Sequence, residues 1–330
     1  IFLNKYPLDS RAPHILLQFG QMKQAQAIQL HADQVASTIE KGGSAQDVTL
    51  SEQSKTLLEE AISDWRRVVS KYPGTAQASQ SALMIGVVLE DKLDRLPEAL
   101  ESYKNVDGIF AEQAGTRRRR MTAPHLTLVT ERKFRTDEQP RIKLITRNLQ
   151  QVSVKAYRVD LTDYFRKMHL ASGIETLDIA LIDPDEQFDY DIPEYVDFKQ
   201  ISGDIEIPIH GPGVTAVTVS SDDLEATTMV VVSDLDMIVK TSRNELFLFV
   251  EDMLDEKPME GASVLISDGS KVFAEAVTGD DGILQASYDE LTSVKDLRVF
   301  AVHEGHVAST VNNLNGLDFA VGLAPKGYLY

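Results

Sequence analysis

The residues with the most chemical potential in this chain are acidic. "DPDEQFDYDIPEYVD" places Asp183, Asp185, Glu186, Asp189, Asp191, Glu194 and Asp197 within 15 positions. Hard divalent cations take carboxylate oxygens as ligands, so a calcium loop at 183–197 is one reading. The segment lacks the glycine and the bidentate position of an EF-hand loop, and a solvated acidic loop is the other reading. "HEGH" sets His303 and His306 three apart. A helix would pair them, a strand sends them to opposite faces, and the zinc-protease spacing His-Glu-x-x-His is not met. Paired carboxylates such as Asp222/Asp223 abound, so they say little about acid-base work. Neither a phosphate-binding glycine loop nor a G-x-S-x-G nucleophile elbow occurs. No catalytic residue, cofactor-binding residue or metal ligand is therefore assigned, no cofactor is expected, and the chain is read as a non-enzyme.

Two acidic-glycine corners, Asp268-Gly269 and Asp280-Asp281-Gly282, could be ligand loops or turns of a sheet, and their neighbours decide between these. Asp268-Gly269 lies between "ASVLIS" and "SKVFAEAV", where a two-residue turn needs positive φ at both centres, which Asp-Gly supplies. Asp280-Asp281-Gly282 turns "KVFAEAV" back into "ILQAS" by similar logic, the glycine tolerating the left-handed conformation. A phosphate cradle would need a helix next, and a strand follows.

The elements that carry these residues come in two kinds. At 330 residues the chain is too long for one ordinary core, and two or three domains are expected. Its net charge of −18 is uneven: residues 1–122 hold 15 basic and 15 acidic side chains, residues 123–330 hold 18 and 36. Such a surface repels phosphate backbones and anionic lipid, which argues against nucleic-acid or membrane-surface partners. Cysteine is absent, which excludes disulfides, thiolate metal sites and a cysteine nucleophile. The densest apolar run, "LFLFV" at 246–250, is strand-sized rather than membrane-spanning. The chain opens on Ile1 inside what reads as a helix, without a visible signal peptide, and is read as a piece of something longer.

The first third is helical. "TLSEQSKTLLEEAISDWRRVVSKYP" opens with Thr49 and Glu52 at capping-box spacing, carries Leu57, Leu58, Ala61, Trp65, Val68, Val69 and Tyr72 on one face, and stops at Pro73-Gly74. Ala99, Tyr103 and Val106 repeat Ala61, Trp65 and Val68 at an offset of 38, "NKYPLDSRA" echoes "SKYPGTAQA", and Gly20 and Gly86 follow at equal distances. Trp65, Tyr72 and Tyr103 are read as core residues rather than ligand-binding aromatics. These residues resemble tetratricopeptide repeats of the bacterial envelope type over about 1–106, with an insertion near 22–48. The resemblance implies a groove for a peptide or protein partner of unknown identity. Four arginines at 117–120 mark a basic linker, expected to contact the acidic part that follows rather than nucleic acid.

From His125 onward the period is two. "PRIKLITRNL", "QVSVKAYRVD", "GDIEIPIHG", "GVTAVTVSSD" and "EATTMVVVSD" form one set of strands, interrupted at 161–170 by a short helical insertion, "LTDYFRKMHL". "ELFLFVED", "GASVLISDG", "KVFAEAVTGD", "GILQASY" and "LRVFAVHE" form a second set, and short alternating strands joined by Gly, Pro and Asp turns predict sandwiches. The stretch from Ser233 through "LFLFVED", "KPMEGASV" and "TGDDG" to Gln285 resembles a macroglobulin-type β-sandwich of bacterial α2-macroglobulins. "APHLTLVTERKFRTDEQPRIKLITRNLQQVSVKAYRVD" resembles the preceding module, and "APKGYLY" the lead-in to the next.

The expected fold is therefore a multidomain α plus β chain: an α-helical tetratricopeptide-like repeat domain followed by two immunoglobulin-like, macroglobulin-type antiparallel β-sandwiches. The expected boundaries are helical repeats at 1–115, basic linker at 116–122, sandwiches at 123–232 and 233–323, and the start of a further module at 324–330. Full-length members of the resembled family trap proteases, many through a thioester that needs a cysteine. The resemblance thus implies a non-reactive N-terminal scaffold, a target protease for the parent, and a periplasmic or cell-envelope location. Two alternatives remain from the residues: an interaction scaffold unrelated to protease control, or a calcium- or carbohydrate-binding β-module.

Overall fold

The computed structural model describes residues 9–160, 162, 165, 166, 183–221 and 223–313. They fall into two compact units, Ile1–Pro124 with Glu194–Gln200, and His125–Pro193 with Ile201–Tyr330. Most of the insertion at 161–170 and the expected lead-in at 324–330 lie outside the described residues, as do Asp222 and residues 4–8 of the tyrosine-proline echo.

The first unit contains helices α1 (Ala12–Glu40), α2 (Glu52–Lys71), α3 (Ala76–Asp91), α4 (Leu96–Lys104) and α5 (Ala111–Thr122). The departure from the repeat near 22–48 is a lengthened α1 plus one 3-10 turn, Ala45–Asp47. Helix α2 starts at Ser51, whose hydroxyl accepts from the Ser54 amide at 3.2 Å, and not in a Thr49–Glu52 box. Leu50 packs against the helical core, which holds Thr49 outside the first turn. Gly74 takes φ +75 and Thr75 caps α3 through the Ala78 amide, so the chain reverses within the "YPGT" stretch.

Glycine and aromatic meet once in each helix pair. Trp65 of α2 is fully buried and its indole N–H donates to the Leu17 carbonyl of α1 at 3.1 Å. Tyr103 of α4 lies against Gly86 of α3 and its hydroxyl donates to Glu90 at 2.6 Å. The arginine run is the end of α5 rather than a linker. Arg117 reaches Glu90 at 2.8 Å and Asp91 at 3.1 Å, and Arg120 reaches Glu90 at 2.5 Å. Arg117 and Arg120 thus pair inside the helical unit, because positions three apart on a helix share a face. Residues 194–200 also belong to this unit: Phe198 lies against the helical core and Lys199 pairs with Asp94.

The second unit carries the strands, with a 3-10 turn at Asp289–Thr292. Strands β1 (His125–Val129), β2 (Arg141–Arg147) and β5 (Gln200–Glu206) form one sheet, in the order β1-β2-β5. The facing sheet runs β4-β3-β6-β7, from β3 (Gln151–Val159), β4 (Glu186–Asp191), β6 (Gly213–Ser221) and β7 (Leu224–Val232). Ile142, Leu144, Val152, Val154, Val217 and Val219 fill the space between them.

The second sandwich pairs β8 (Leu235–Ser242), β9 (Glu245–Asp252), β10 (Lys257–Pro258) and β13 (Ile283–Ser287) in one sheet. The other sheet runs β12-β11-β14-β15, from β11 (Ser263–Ser267), β12 (Val272–Val277), β14 (Asp296–His303) and β15 (His306–Asn313). Leu246, Leu248, Val250, Val264, Ile266 and Val299 make its core. All the ladders within these sheets are antiparallel, as the alternating pattern predicts.

The corners differ from expectation in three places. Asp268 opens a wider loop to Lys271 in which only Gly269 has positive φ. The Asp268 carboxylate accepts from the Ser270 amide at 2.8 Å and the Lys271 amide at 2.9 Å, so a side-chain turn replaces the two-residue backbone turn. Asp280-Asp281-Gly282 does not fold β12 back on itself. It carries the chain from the sheet of β11 and β12 to β13 in the opposite sheet. His303 and His306 are not on opposite faces of one strand, because Glu304 and Gly305, at φ +48 and +88, form a tight turn that makes the histidines cross-strand partners.

Candidate functional site

The chain's most elaborate polar arrangement lies where the two sandwiches join. Strand β7 ends at Val232 and β8 begins at Leu235, so Ser233 and Asp234 alone connect the sandwiches. Both are buried. A buried polar linker needs every donor and acceptor matched, and the surrounding loops do this. The Ser233 amide donates to the Phe134 carbonyl at 2.8 Å, and its carbonyl accepts from the Arg135 guanidinium at 3.0 Å. The Ser233 hydroxyl accepts from the Leu235 amide at 3.1 Å and the Val307 amide at 2.9 Å.

Asp234 is held from three further directions. Its carboxylate accepts from the Thr136 amide at 2.9 Å and from the Thr136 hydroxyl. Its amide donates to His306 Nδ1 at 3.0 Å, and its carbonyl accepts from the Met253 amide at 2.8 Å. Lys133 Nζ reaches the Leu235 carbonyl at 3.1 Å and the Asp236 carboxylate at 3.2 Å, and Arg135 lies 3.6 Å from Asp236. Burial pushes the Lys133 ammonium below its ordinary pKa, against the opposing pull of Asp236.

The loop that supplies these groups is itself braced. Glu138 accepts from Arg132 at 2.7 and 2.8 Å and from the Arg135 amide at 2.8 Å. Those bonds, the Arg132 pair foremost, hold its carboxyl down at about 2. Arg132 also stacks 4.7 Å above the Phe134 ring. Phe134 forms a one-residue parallel bridge with Val232.

Beside this clamp the outer faces of two sheets bury each other. Tyr157, Val214 and Ala216 from the first sandwich meet Leu265, Phe300 and Val307 from the second. Phe165, from the insertion, closes the seam: it is buried and stacks on Phe300 with ring centroids 5.2 Å apart. Its neighbour Arg166 pairs with Glu275 at 3.1 Å. Strands β6, β11 and β14 are consequently buried on both faces.

The residues first considered for chemistry lie elsewhere or serve structure. The acids of 183–197 are dispersed. Phe188 and Tyr190 of β4 pack against the core, while Asp189 and Asp191 are exposed. Asp185 accepts from the Arg158 amide at 2.6 Å and Asp191 from Gln151 at 2.7 Å. Among the described residues no group of three or more His, Asp or Glu side chains is placed to hold a metal ion. His306 belongs to the clamp.

The family-like motifs interlock. Thr278 donates its hydroxyl to the Met259 carbonyl at 2.6 Å and accepts from the Ala262 amide at 2.9 Å, while the Thr278 amide donates to the Ala262 carbonyl at 3.0 Å. "KPMEGASV" and "TGDDG" are thus two halves of one corner.

In its fold the chain is similar to segments of bacterial α2-macroglobulin. A crystal structure of native α2-macroglobulin from Escherichia coli spanning domains NIE-MG1 matches at 13% identity and TM-score 0.43, over 59% of this chain and 98% of that one. The structure spanning MG0-NIE-MG1 matches at 13% identity and TM-score 0.41, over 57% and 64%. Cryo-EM of the native E. coli protein gives 14% identity and TM-score 0.34, over 58% of this chain and 13% of that one. The chain therefore spans under two thirds of the second structure and a small part of the third. No protein-family model and no curated protein matches it.

In the clamp the polar groups of Ser233 and Asp234 are matched by hydrogen bonds. A cleft of about 440 Å³ opens next to it, lined by Thr130, Arg132, Lys133, Thr227, Thr228 and Met229, but its two cations are bound to Glu138 and Asp236. Sequence reading missed the clamp because its members lie about 70 to 100 positions apart, and His306 was read only against its neighbour His303. The one local signal was "VVVSDLD", where a polar pair interrupts an apolar run.

Proposed function

We propose that this chain is a non-catalytic scaffold segment of an α2-macroglobulin-like protein of the bacterial cell envelope. Its tetratricopeptide-like helices recruit a protein partner, and its two macroglobulin-type sandwiches form a stiff arm. The observation that carries this reading is the Thr278 corner, in which the two motifs that resemble the family bond to each other at 2.6 to 3.0 Å. Motifs with a structural role in common are better support for a shared module than motifs that merely occur in the same order.

The stiff-arm part follows from the joint. A connection of two residues, each with its polar groups matched by hydrogen bonds, flanked by a seam of buried aliphatic and aromatic side chains, resists rotation of one sandwich against the other. Inhibition by trapping belongs to the parent protein in this reading. It is tested by incubating the full-length parent with an endopeptidase and comparing cleavage of a small chromogenic substrate with that of a large protein. Retained activity on the small substrate with loss on the large one supports trapping; equal activity on both removes it. No helix among the described residues is long and apolar enough to cross a membrane; fractionation of the source cells checks the envelope location.

A further inference from the structure

His306 opens β15 at the tight turn from β14, and its ring reaches back to the joint between the sandwiches. Imidazole is the side chain whose ordinary titration falls between about pH 5 and 8, so His306 brings a proton-dependent group into a buried joint.

The bond it makes fixes its protonation state. The Asp234 amide donates to His306 Nδ1 at 3.0 Å, and a ring nitrogen that accepts carries no proton. The ring in this arrangement is therefore neutral, with its proton on Nε2. The same Nδ1 lies 3.7 Å from the Asp234 carboxylate, which already accepts from the Thr136 amide and hydroxyl. Two groups of one residue thus compete for one nitrogen: the amide suits the neutral ring and the carboxylate suits the charged one.

Protonation reverses the choice. With a hydrogen on Nδ1 the ring and the Asp234 amide meet as donor against donor, and the carboxylate beside them becomes the matching acceptor. Turning to it leaves the amide without its partner at a residue that is 3% exposed, where water offers little replacement. It also draws the carboxylate from Thr136, the bond that ties the joint to the loop between β1 and β2.

The elements around the ring carry other charges. The joint and the start of β8 hold Asp234 and Asp236, the latter paired with Lys133 and Arg135. His303 is the cross-strand partner in β14, and Glu304 lies in the turn. On the loop before β6, Pro212 lies against Gly305, and the His210 and Pro212 carbonyls accept from Arg158. Asp252 ends β9, next to the Met253 amide that donates to the Asp234 carbonyl. His210 and His303 are imidazoles like His306, so the test separates the three.

We propose that His306 is a pH-sensitive latch: neutral, it holds the Asp234 amide; protonated, it releases that amide for the Asp234 carboxylate and loosens the joint. The latch stands on the bonds of the joint, and its effect on the angle between the sandwiches rests on the stiff-arm reading.

NMR of the whole chain tests it from about pH 7.5 down to the pH at which the His306 ring signals finish titrating. At the upper end the ring nitrogen shifts are expected to show the Nε2–H tautomer. As the ring gains its proton, protection of the Asp234 amide, corrected for the intrinsic pH dependence of exchange, is expected to fall about tenfold, the factor a net hydrogen bond is worth. His306→Asn places an amide oxygen where Nδ1 sits and is expected to hold the Asp234 amide at both ends of the range; circular dichroism checks that it folds. His303→Gln and His210→Gln are expected to leave the fall as it is. Glu138, held down at about 2, stays ionised throughout. A proton on Nδ1 of the neutral ring, protection at Asp234 that does not follow the His306 titration, the same fall in His306→Asn, or its loss in either of the other variants overturns the proposal. Residual dipolar couplings separate the two readings: sandwiches that align independently at about pH 7.5 remove the stiff arm, and the Asp234 amide still decides the latch.

Discussion

Trp65 lies so close over Gly20 that a Cβ placed on the glycine would fall 2.2 Å from the indole nitrogen. The ring is fully buried and fixed by its bond to the Leu17 carbonyl, so it has nowhere to move. Gly20→Ala is expected to destabilise the helical unit by about 3 kcal/mol, the upper part of the overpacking range. Urea denaturation followed by tryptophan fluorescence reads this directly, because Trp65 is the only tryptophan. An unshifted midpoint would show that the helices separate at little cost.

Thr278 bonds both ends of the corner between β10 and β11 with one hydroxyl. Thr278→Val keeps the shape but leaves the buried Ala262 amide and the Met259 carbonyl without that partner. A loss of about 2–3 kcal/mol is expected in the β unit, seen as a lower thermal midpoint. Thr278→Ser, which keeps the hydroxyl, should recover most of it.

Phe165→Ala removes the ring stacked on Phe300 and opens a cavity in the seam. Buried Phe→Ala changes cost about 3–5 kcal/mol. The effect should appear as faster amide exchange in β14 and β11, leaving α2 and α3 unchanged. Equal loosening of both units would contradict the assignment of Phe165 to the seam alone.

Glu138 gives the clamp an acid limit. Its folded pKa of about 2 lies below its ordinary value of 4.5, so its contribution is fully present above pH 4.5 and is lost as pH falls through about 2. Stability measured from pH 5 to pH 2 should therefore decline less steeply in Glu138→Gln, which has no carboxylate to protonate. Parallel curves for the two proteins would remove Glu138 from the account.

The arginine run separates into unequal members. Arg117 sits between Glu90 and Asp91, whereas Arg118 is exposed. Burial raises the Glu90 pKa, but hydrogen bonds from Tyr103, Arg117 and Arg120 outweigh it and keep the carboxyl below its ordinary value. Arg117→Ala is expected to cost about 1–2 kcal/mol by leaving that carboxylate under-paired, and Arg118→Ala about nothing, measured by chemical denaturation.

The sequence alone determined the elements. Apolar spacing of three and four placed α2 and α4, and alternation placed β2, β3 and β9, because periodicity is a local consequence of backbone geometry. Gly20, Gly86, Trp65 and Tyr103 were recognisable as a repeat for the same reason. What the tertiary structure decided was which faces meet. Asp280-Asp281-Gly282 looks the same in sequence whether it closes a hairpin or crosses between sheets, since a turn constrains its own dihedrals and not the strand's later partner. Both faces of β6, β11 and β14 are buried only because a second sandwich packs on the first. Ser233, Asp234, Thr136 and His306 became a clamp when strands far apart in the chain came together. Long-range pairing of this kind depends on shape and on matched hydrogen bonds, neither of which leaves a period in the sequence.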